Sequence, residues 1–211
     1  MAEHKGLFYY VVDIESTGLS AEKHRVTELS IVRVSDRFQL CEDIRIEQSD
    51  FANVSKEALL ATGRTMEDLK RGKPALEVIK IVEDFINEDG LTPEHRCFVG
   101  HNIAFDRRFL FATWKRYGKV FPGVTWLDTM PFYKDYAQNY LGIVKPKKTL
   151  DTALEKCGIK ALGTAHKSKF DTQNTYQLHK FLVKTGIDYL QYTKRVVQEE
   201  LATASDNDQS D

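Results

Sequence analysis

The segment at 13–18 (DIESTG) carries two carboxylates, Asp13 and Glu15, at the end of an apolar run over 7–14. Such a run predicts a strand buried on both faces. Residues two apart on a strand project from one face, so the two carboxylates lie side by side. Paired carboxylates repel each other unless a cation lies between them, which indicates a divalent metal site. Taken alone, the segment favours the alternative of a strand end with one exposed acid and a glycine turn.

Two further segments place an acid at the start of a predicted helix. The segment 101–106 (HNIAFD) passes from a strand into a helix and carries Asp106 in the first turn. The segment 166–171 (HKSKFD) runs from a loop into another helix, with Asp171 at the helix start and His166 in the loop. Each feature alone has a structural explanation, because an acid near a helix N-terminus stabilises the helix dipole.

Together and in this order, DIESTG, HNIAFD and HKSKFD resemble the three exonuclease motifs of the DnaQ-like superfamily, DEDDh branch. That group includes the proofreading subunit of bacterial replicative polymerase and ribonuclease T. The resemblance spans roughly 7–186 and includes the segments 58–72 (ALLATGRTMEDLKRG) and 126–130 (WLDTM). Many relatives have alanine where this chain has Ser168; the two are nearly isosteric, so we expect little consequence.

The resemblance implies a two-metal site and a histidine base. The four acids would hold two Mg²⁺ or Mn²⁺ ions, with Asp13 bridging both of them. Asp171 and Glu15 would complete the first metal site, and Asp106 would hold the second metal through water. His166 would be the general base, because imidazole accepts a proton near neutral pH.

The resemblance also implies contacts with the terminal nucleotide. The expected substrate-binding residues are Ser16, Thr17, Gly18, His101 and Phe105. The backbone of the first three would recognise the free 3′-hydroxyl together with Glu15, and the last two would flank the terminal nucleotide. Thr62 and Gly63 are expected to approach the same base.

The composition is that of a water-soluble domain. The chain has 211 residues, 42% hydrophobic and 29% charged, and a formal net charge of −1, which fits an enzyme better than a protein that coats DNA. No apolar run is long enough to span a membrane. Three widely spaced cysteines support neither a zinc site nor a disulfide framework, so we expect a cytoplasmic protein. Two lysine clusters, at 145–148 and at Lys167 with Lys169, could steer a phosphate backbone.

The pattern of elements predicts an α/β fold. Strands are expected at 7–14, 26–34, 38–46, 96–100 and 125–128, with a hairpin turn at 35–37. Helices are expected at 74–87, 103–117 (capped by Asn102), 131–140, 150–157, 172–184 and 188–201. The sequence thus predicts one exonuclease domain over 1–201 and a polar, disordered tail over 202–211. The resemblance implies a ribonuclease H-like fold, with a mixed five-stranded sheet of three antiparallel strands followed by parallel ones.

Two alternatives remain open at this point. An exoribonuclease of the same architecture would share the catalytic residues, although the acid pair followed by Ser-Thr-Gly favours single-stranded DNA 3′ ends. An accessory subunit that only binds nucleic acid or a polymerase would normally have lost one of the five functional side chains, and all five are present. The chain carries no polymerase domain, so proofreading would require a polymerase or replisome partner in trans.

Overall fold

The computed structural model describes residues 7–198 and contains one mixed β-sheet in that range. Its strands are β1 (Phe8–Ser16), β2 (Val26–Arg33), β3 (Gln39–Asp43), β4 (Arg96–Gly100), β5 (Thr125–Asp128) and β6 (Thr193–Arg195). The spatial order is β3-β2-β1-β4-β5-β6. The hairpins of β1, β2 and β3 are antiparallel, β4 runs parallel to β1, and β5 runs parallel to β4. The predicted fold class is confirmed.

Helices cover both faces of the sheet. They are α1 (Lys56–Thr62), α2 (Ala75–Asn87), α3 (Ile103–Arg116), α4 (Thr129–Tyr140), α5 (Leu150–Lys156) and α6 (Ser168–Val183). Short 3₁₀ turns occupy Gln48–Asn53, Asp68–Lys70, Pro93–His95 and Tyr189–Tyr192.

β1 is buried because it contributes to both apolar layers. Alternate residues such as Tyr10, Val12 and Ile14 pack with α2 and α3, whereas Val11 packs with α4, α5 and α6. This alternation leaves Asp13 and Glu15 on the face of Val11, at the carboxyl end of the strand. The buried apolar run therefore places the acid pair at the end of the sheet where β4 also ends.

The C-terminal helix predicted over 188–201 is wrong across the described residues. Tyr189–Tyr192 form a 3₁₀ turn, and β6 then pairs antiparallel with β5 as a sixth strand. The Tyr192 ring stacks on Phe132 at 4.7 Å, and β6 covers the edge of β5, which otherwise would present unpaired backbone groups. Residues 199–201 and the predicted tail over 202–211 lie outside the described range.

Two smaller expectations also need correction. The sequence pattern predicts no helix or strand between 46 and 74, but this segment contains α1, whose first turn is capped by the Ser55 hydroxyl. Asn102 is the N-cap residue of α3, but its backbone is left-handed (φ 68°) and its side chain makes no capping hydrogen bond. Its backbone N–H donates instead to the Asp128 carboxylate at 2.9 Å. No helix in residues 7–198 is long and apolar enough to cross a membrane.

Candidate active site

The carboxyl end of β1 and the N-terminal turn of α6 meet at a cavity of about 250 Å³. The cavity is lined by Asp13, His101, Thr149, Leu150, Asp151, Ala165, His166 and Asp171. The three segments singled out by the sequence therefore contribute to one site, although some 150 residues separate the first from the last.

Three side chains converge closely enough to share a cation. Potential ligand atoms of Glu15, His166 and Asp171 lie within 4.8 Å of one another. Glu15 reaches this point from β1, Asp171 from the first turn of α6, and His166 from the preceding loop. Asp13 lines the same cavity two residues before Glu15.

Asp106 approaches from α3 and is almost fully buried, with 5% of its surface exposed. Its Oδ1 accepts a hydrogen bond from the backbone N–H of Ile14 at 3.1 Å. Ile14 lies between the two acids of β1, so this hydrogen bond ties α3 directly to the acid pair. The negative charge of Asp106 also contributes to the raised pKa of Asp13.

Burial and mutual repulsion favour the neutral forms of the carboxyls in this site. Burial raises the pKa of Asp13 well above its ordinary value, and the charges of Asp106, Asp171 and Glu15 add to the shift. Burial likewise raises the pKa of Glu15 to about 7 and that of Asp106 to about 8. Burial also raises the pKa of Asp171. Such shifts are typical of functional sites.

His166 is exposed and has a left-handed backbone, with φ of 60°. Its backbone N–H donates to Oδ2 of Asp171 at 2.8 Å, which fixes the loop against the first turn of α6. Within residues 7–198 its imidazole ring has no hydrogen-bond partner. The backbone of His166 is therefore anchored, while the ring is available at the cavity.

His101 lines the cavity, but both of its ring nitrogens have partners within the protein. Nδ1 lies 3.0 Å from the Thr129 hydroxyl and Nε2 lies 2.6 Å from the Lys148 carbonyl oxygen. Burial lowers the pKa of His101, despite the opposing effects of the Lys148 hydrogen bond and the Asp128 charge. The lowered pKa favours the neutral ring, and because both ring nitrogens already have partners, the ring face is the part that remains available to a ligand.

Phe105 is half-buried in the first turn of α3 and packs against Phe109, with ring centroids 4.9 Å apart. It lies one residue before Asp106, outside the wall of the cavity. Its exposed part can contact only a group that extends beyond the cavity.

The segment after the acid pair is held by hydrogen bonds of its own. The β1–β2 register shifts between Glu15 and Ser16, and the Ser16 hydroxyl donates to the Gly18 carbonyl at 2.7 Å. Thr17 is 3% exposed and exchanges hydrogen bonds with the backbone of Arg25. A Cβ on Gly18 would lie 2.4 Å from the His24 ring, so a side chain there would displace the ring or this segment.

The RNase_T exonuclease family matches residues 10–179 of the chain, a range that contains every element of this site. The chain belongs to this exonuclease family. The predicted resemblance to DnaQ-like enzymes is thereby confirmed.

Relatives of the exonuclease include both polymerases and a ribonuclease. It is 29% identical over 194 residues to "DNA polymerase III PolC-type" from Bacillus cereus, an alignment that covers 86% of this chain but 12% of the polymerase. The chain thus spans about an eighth of that relative's length. It is 27% identical to "Ribonuclease T" from Haemophilus ducreyi, covering 82% of this chain and 84% of the relative.

The fold of the exonuclease matches that of a solved DEDDh nuclease domain. The nuclease domain of 3′hExo, bound to rAMP, superposes with a TM-score of 0.69 at 18% identity. The superposition covers 89% of this chain and 97% of that domain.

Two acids of the exonuclease site were missed by the sequence analysis. Asp151, in the first turn of α5, lines the cavity, and its charge raises the pKa of Asp171. Glu28, on β2, lies directly opposite Glu15 in the β1–β2 register and is 6% exposed. A glutamate in the apolar run VTELSIV was the available signal, because buried charges are rarely found without a partner.

Proposed function

We propose that the exonuclease removes nucleotides from the 3′ end of single-stranded DNA and releases nucleoside 5′-monophosphates. The observation that carries the proposal is the meeting of Glu15, His166 and Asp171 within 4.8 Å. His166 and Asp171 line a cavity that Asp13 also lines. Asp13, Glu15, Asp106, His166 and Asp171 are the catalytic residues in this proposal.

The donor set fits hard divalent cations. Burial raises the pKa of Asp13 and of Glu15, and a bound cation would stabilise both carboxylates in their charged forms. Oxygen ligands are those preferred by Mg²⁺ and Mn²⁺. Asp13, Glu15, Asp106 and Asp171 would hold two such ions, which supply positive charge to the reacting phosphate and help ionise water.

His166 is the general base in this proposal. An unprotonated ring nitrogen takes a proton from the attacking water while the water oxygen forms a bond to the terminal phosphorus. The bond from phosphorus to the 3′-oxygen of the preceding nucleotide breaks, and that oxygen ends as a new 3′-hydroxyl. The anchored backbone and unengaged ring support this role, although the proximity of His166 to Glu15 and Asp171 also allows metal ligation.

Recognition of the 3′ end is assigned to the segment after the acid pair. Ser16, Thr17 and Gly18 present backbone groups beside Glu15, and their internal hydrogen bonds hold that backbone in place. His101 offers its ring face and Phe105 its exposed part to the terminal nucleotide. Burial of a free hydroxyl beside Glu15 would disfavour a 3′-phosphate, because like charges would then meet.

The preference for DNA rests on the Ser-Thr-Gly sequence after the acid pair and on the PolC-type relatives. The ribonuclease relative and the rAMP-bound nuclease domain support the competing exoribonuclease assignment. The PolC-type relatives also support a role beside a polymerase or replisome partner. The three free cysteines support a cytoplasmic location. The proposed exonuclease domain is 1–201.

One substrate comparison tests the proposal. Single-stranded DNA, single-stranded RNA of the same sequence and duplex DNA with a mismatched 3′ end are 5′-labelled and incubated with Mg²⁺, Mn²⁺ or EDTA. We expect a ladder that shortens from the 3′ end, metal dependence and faster removal of deoxynucleotides. Faster RNA trimming would reassign the substrate, and hydrolysis of a circular strand would contradict end recognition.

A further inference from the structure

Glu28 is a buried carboxylate next to the catalytic acids that the proposed mechanism does not use. Its backbone lies opposite Glu15 in the β1–β2 register, and its charge contributes to the raised pKa of both Asp13 and Glu15. A carboxylate in this position would be expected either to bind the same cations or to be neutralised by the protein.

The protein balances the charge of the Glu28 carboxylate, because both of its oxygens already have partners. Oε1 accepts a hydrogen bond from the Ser168 hydroxyl at 2.6 Å and a longer one from the Lys169 backbone N–H at 3.4 Å. Oε2 forms an ion pair with the Arg64 guanidinium, whose same nitrogen also contacts Asp43. Burial opposes ionisation, but the Ser168 and Arg64 contacts outweigh it and lower the pKa of Glu28.

Ser168 and Lys169 are the first two residues of α6, and the helix has no side-chain cap of its own. The N-cap residue is Lys167, which makes no capping hydrogen bond. The carboxylate of Glu28 therefore occupies the position of a capping anion, supplied from a neighbouring strand. Asp171 lies in the same first turn, and its Oδ2 holds the backbone of His166.

We propose that Glu28 is a positioning residue that fixes Asp171 and His166 against Glu15 and so pre-forms the cation site. The contacts that carry it are those from Glu28 to Ser168 and Arg64. A second contact, from Lys167 Nζ to the Thr62 carbonyl at 3.0 Å, joins the same helix end to α1. The hydroxyl of Ser168 thus has a defined role in this chain, and the expectation that it is interchangeable with alanine is not supported.

The test uses Glu28→Gln, Ser168→Ala and the double variant of the full chain. Glu42→Gln is the matched control, because Glu42, on β3, forms a part-buried ion pair with Lys73. No hydrogen bond or ion pair joins the Glu42 side chain to α6 in residues 7–198. Mn²⁺ affinity is measured without substrate, and kcat and KM are measured on a 5′-labelled oligonucleotide. Deuterium exchange of the peptide spanning residues 162–171 reports directly on the helix end.

Each single variant should weaken Mn²⁺ binding and lower kcat by about 10- to 100-fold, the range seen when a group that orients metal ligands from outside the coordination sphere is lost. KM should change little, and exchange in the 162–171 peptide should rise. The double variant should resemble the more severe single variant, because both changes remove one contact. The control should match the wild type.

Unchanged Mn²⁺ affinity and kcat in Ser168→Ala would overturn the proposal, as would effects that simply multiply in the double variant. Ser168→Ala decides the matter if Glu28→Gln does not fold. Because this inference rests on the proposed cation site, wild-type Mn²⁺ binding is measured first. A wild type that binds no Mn²⁺ would refute the proposed function, while the exchange measurement would still test the contact between Glu28 and α6.

Discussion

Asp13 faces negative charge from several elements at once. Burial raises its pKa, and Asp106 on α3, Asp171 on α6 and Glu15 on the same strand add to the shift. We predict that Asp13→Ala abolishes hydrolysis and weakens Mn²⁺ binding while the fold is retained. Without metal, the variant should be at least as stable as the wild type, since a source of repulsion is removed.

Thermal unfolding in EDTA, Mn²⁺ titration and single-turnover hydrolysis check this prediction. Asp84→Ala is the control, because Asp84 is an exposed acid on α2 on the opposite face of the sheet. Near-normal turnover in Asp13→Ala would rule out the assignment of this residue to the metal site.

His166 has two possible roles that one variant separates. If His166 is the general base, His166→Ala should lower kcat by about 10²–10⁴-fold, with little change in Mn²⁺ affinity. As a ligand beside Glu15 and Asp171, its loss should weaken Mn²⁺ binding as well. We predict the first result; His95→Ala, at the opposite end of β4, serves as the control.

The metal-free protein should lose stability as the pH rises. Glu15 has a folded-state pKa of about 7, raised by burial and by the charges of Asp171 and Glu28. Between its ordinary value of 4.5 and about 7, the folded state binds the proton more tightly than the unfolded state. That contribution is present at lower pH and is lost as the pH rises through this window.

Melting temperatures in EDTA and in Mn²⁺, measured across this pH window, check the sign. Mn²⁺ should stabilise more strongly at higher pH, because it replaces the proton, and Glu15→Gln should flatten the decline. Buried His179 acts in the opposite direction, since burial lowers its pKa to about 4. His179 contributes equally to the wild type and to Glu15→Gln, so the difference between their melting temperatures at each pH isolates the contribution of Glu15. If the melting temperature of Glu15→Gln fell with pH as steeply as that of the wild type, the prediction would be contradicted.

At the scale of elements, the proposed function gives the turn after β1 the task of binding the 3′ end. Gly18 lies against the His24 ring, which a Cβ would approach to 2.4 Å. We predict that Gly18→Ala lowers kcat/KM and weakens the preference for a 3′-hydroxyl over a 3′-phosphate. Mn²⁺ affinity should stay close to that of the wild type.

The matched variant for this prediction is Gly18→Ala combined with His24→Ala. Removing the ring relieves the contact, so part of the lost preference should return. His24→Ala alone corrects for the lost hydrogen bond between the Ser20 backbone N–H and His24 Nδ1. Equal rates for both 3′ ends in the wild type would exclude end recognition by this segment.

The sequence predicted those elements whose own residues determine them. The apolar run of β1 and the amphipathic pattern of α2 are local signals, and both elements occur where expected. The helix predicted over 188–201 was wrong because Thr193–Arg195 pair with β5. That pairing depends on an exposed sheet edge, which no local sequence pattern reveals. Glu28 was missed for a related reason, since its partners Arg64 and Ser168 are far away in the chain.

At the scale of the molecule, the two ends of the sheet carry different kinds of charged groups. The acids lie at the carboxyl end of β1 and in the first turn of α3, which follows β4. The opposite end of the sheet holds a buried ion pair between Asp89 and Arg96. Both side chains are at most 2% exposed, and the Tyr10 hydroxyl donates to the same carboxylate at 2.7 Å. Stability and catalysis should therefore be separable by mutation.

We predict that Asp89→Asn destabilises the fold by about 3–5 kcal/mol, because it leaves the buried Arg96 charge without its partner. The kcat of the folded fraction and its Mn²⁺ affinity should remain unchanged, since the pair lies at the opposite end of the sheet from the acids. Urea unfolding measures the first quantity, and active-site titration corrects the second. Glu155→Gln, at an exposed pair with Lys156, should cost less than about 1 kcal/mol. If Asp89→Asn lowered kcat at full folding, the two ends of the sheet would be coupled and this separation would be wrong.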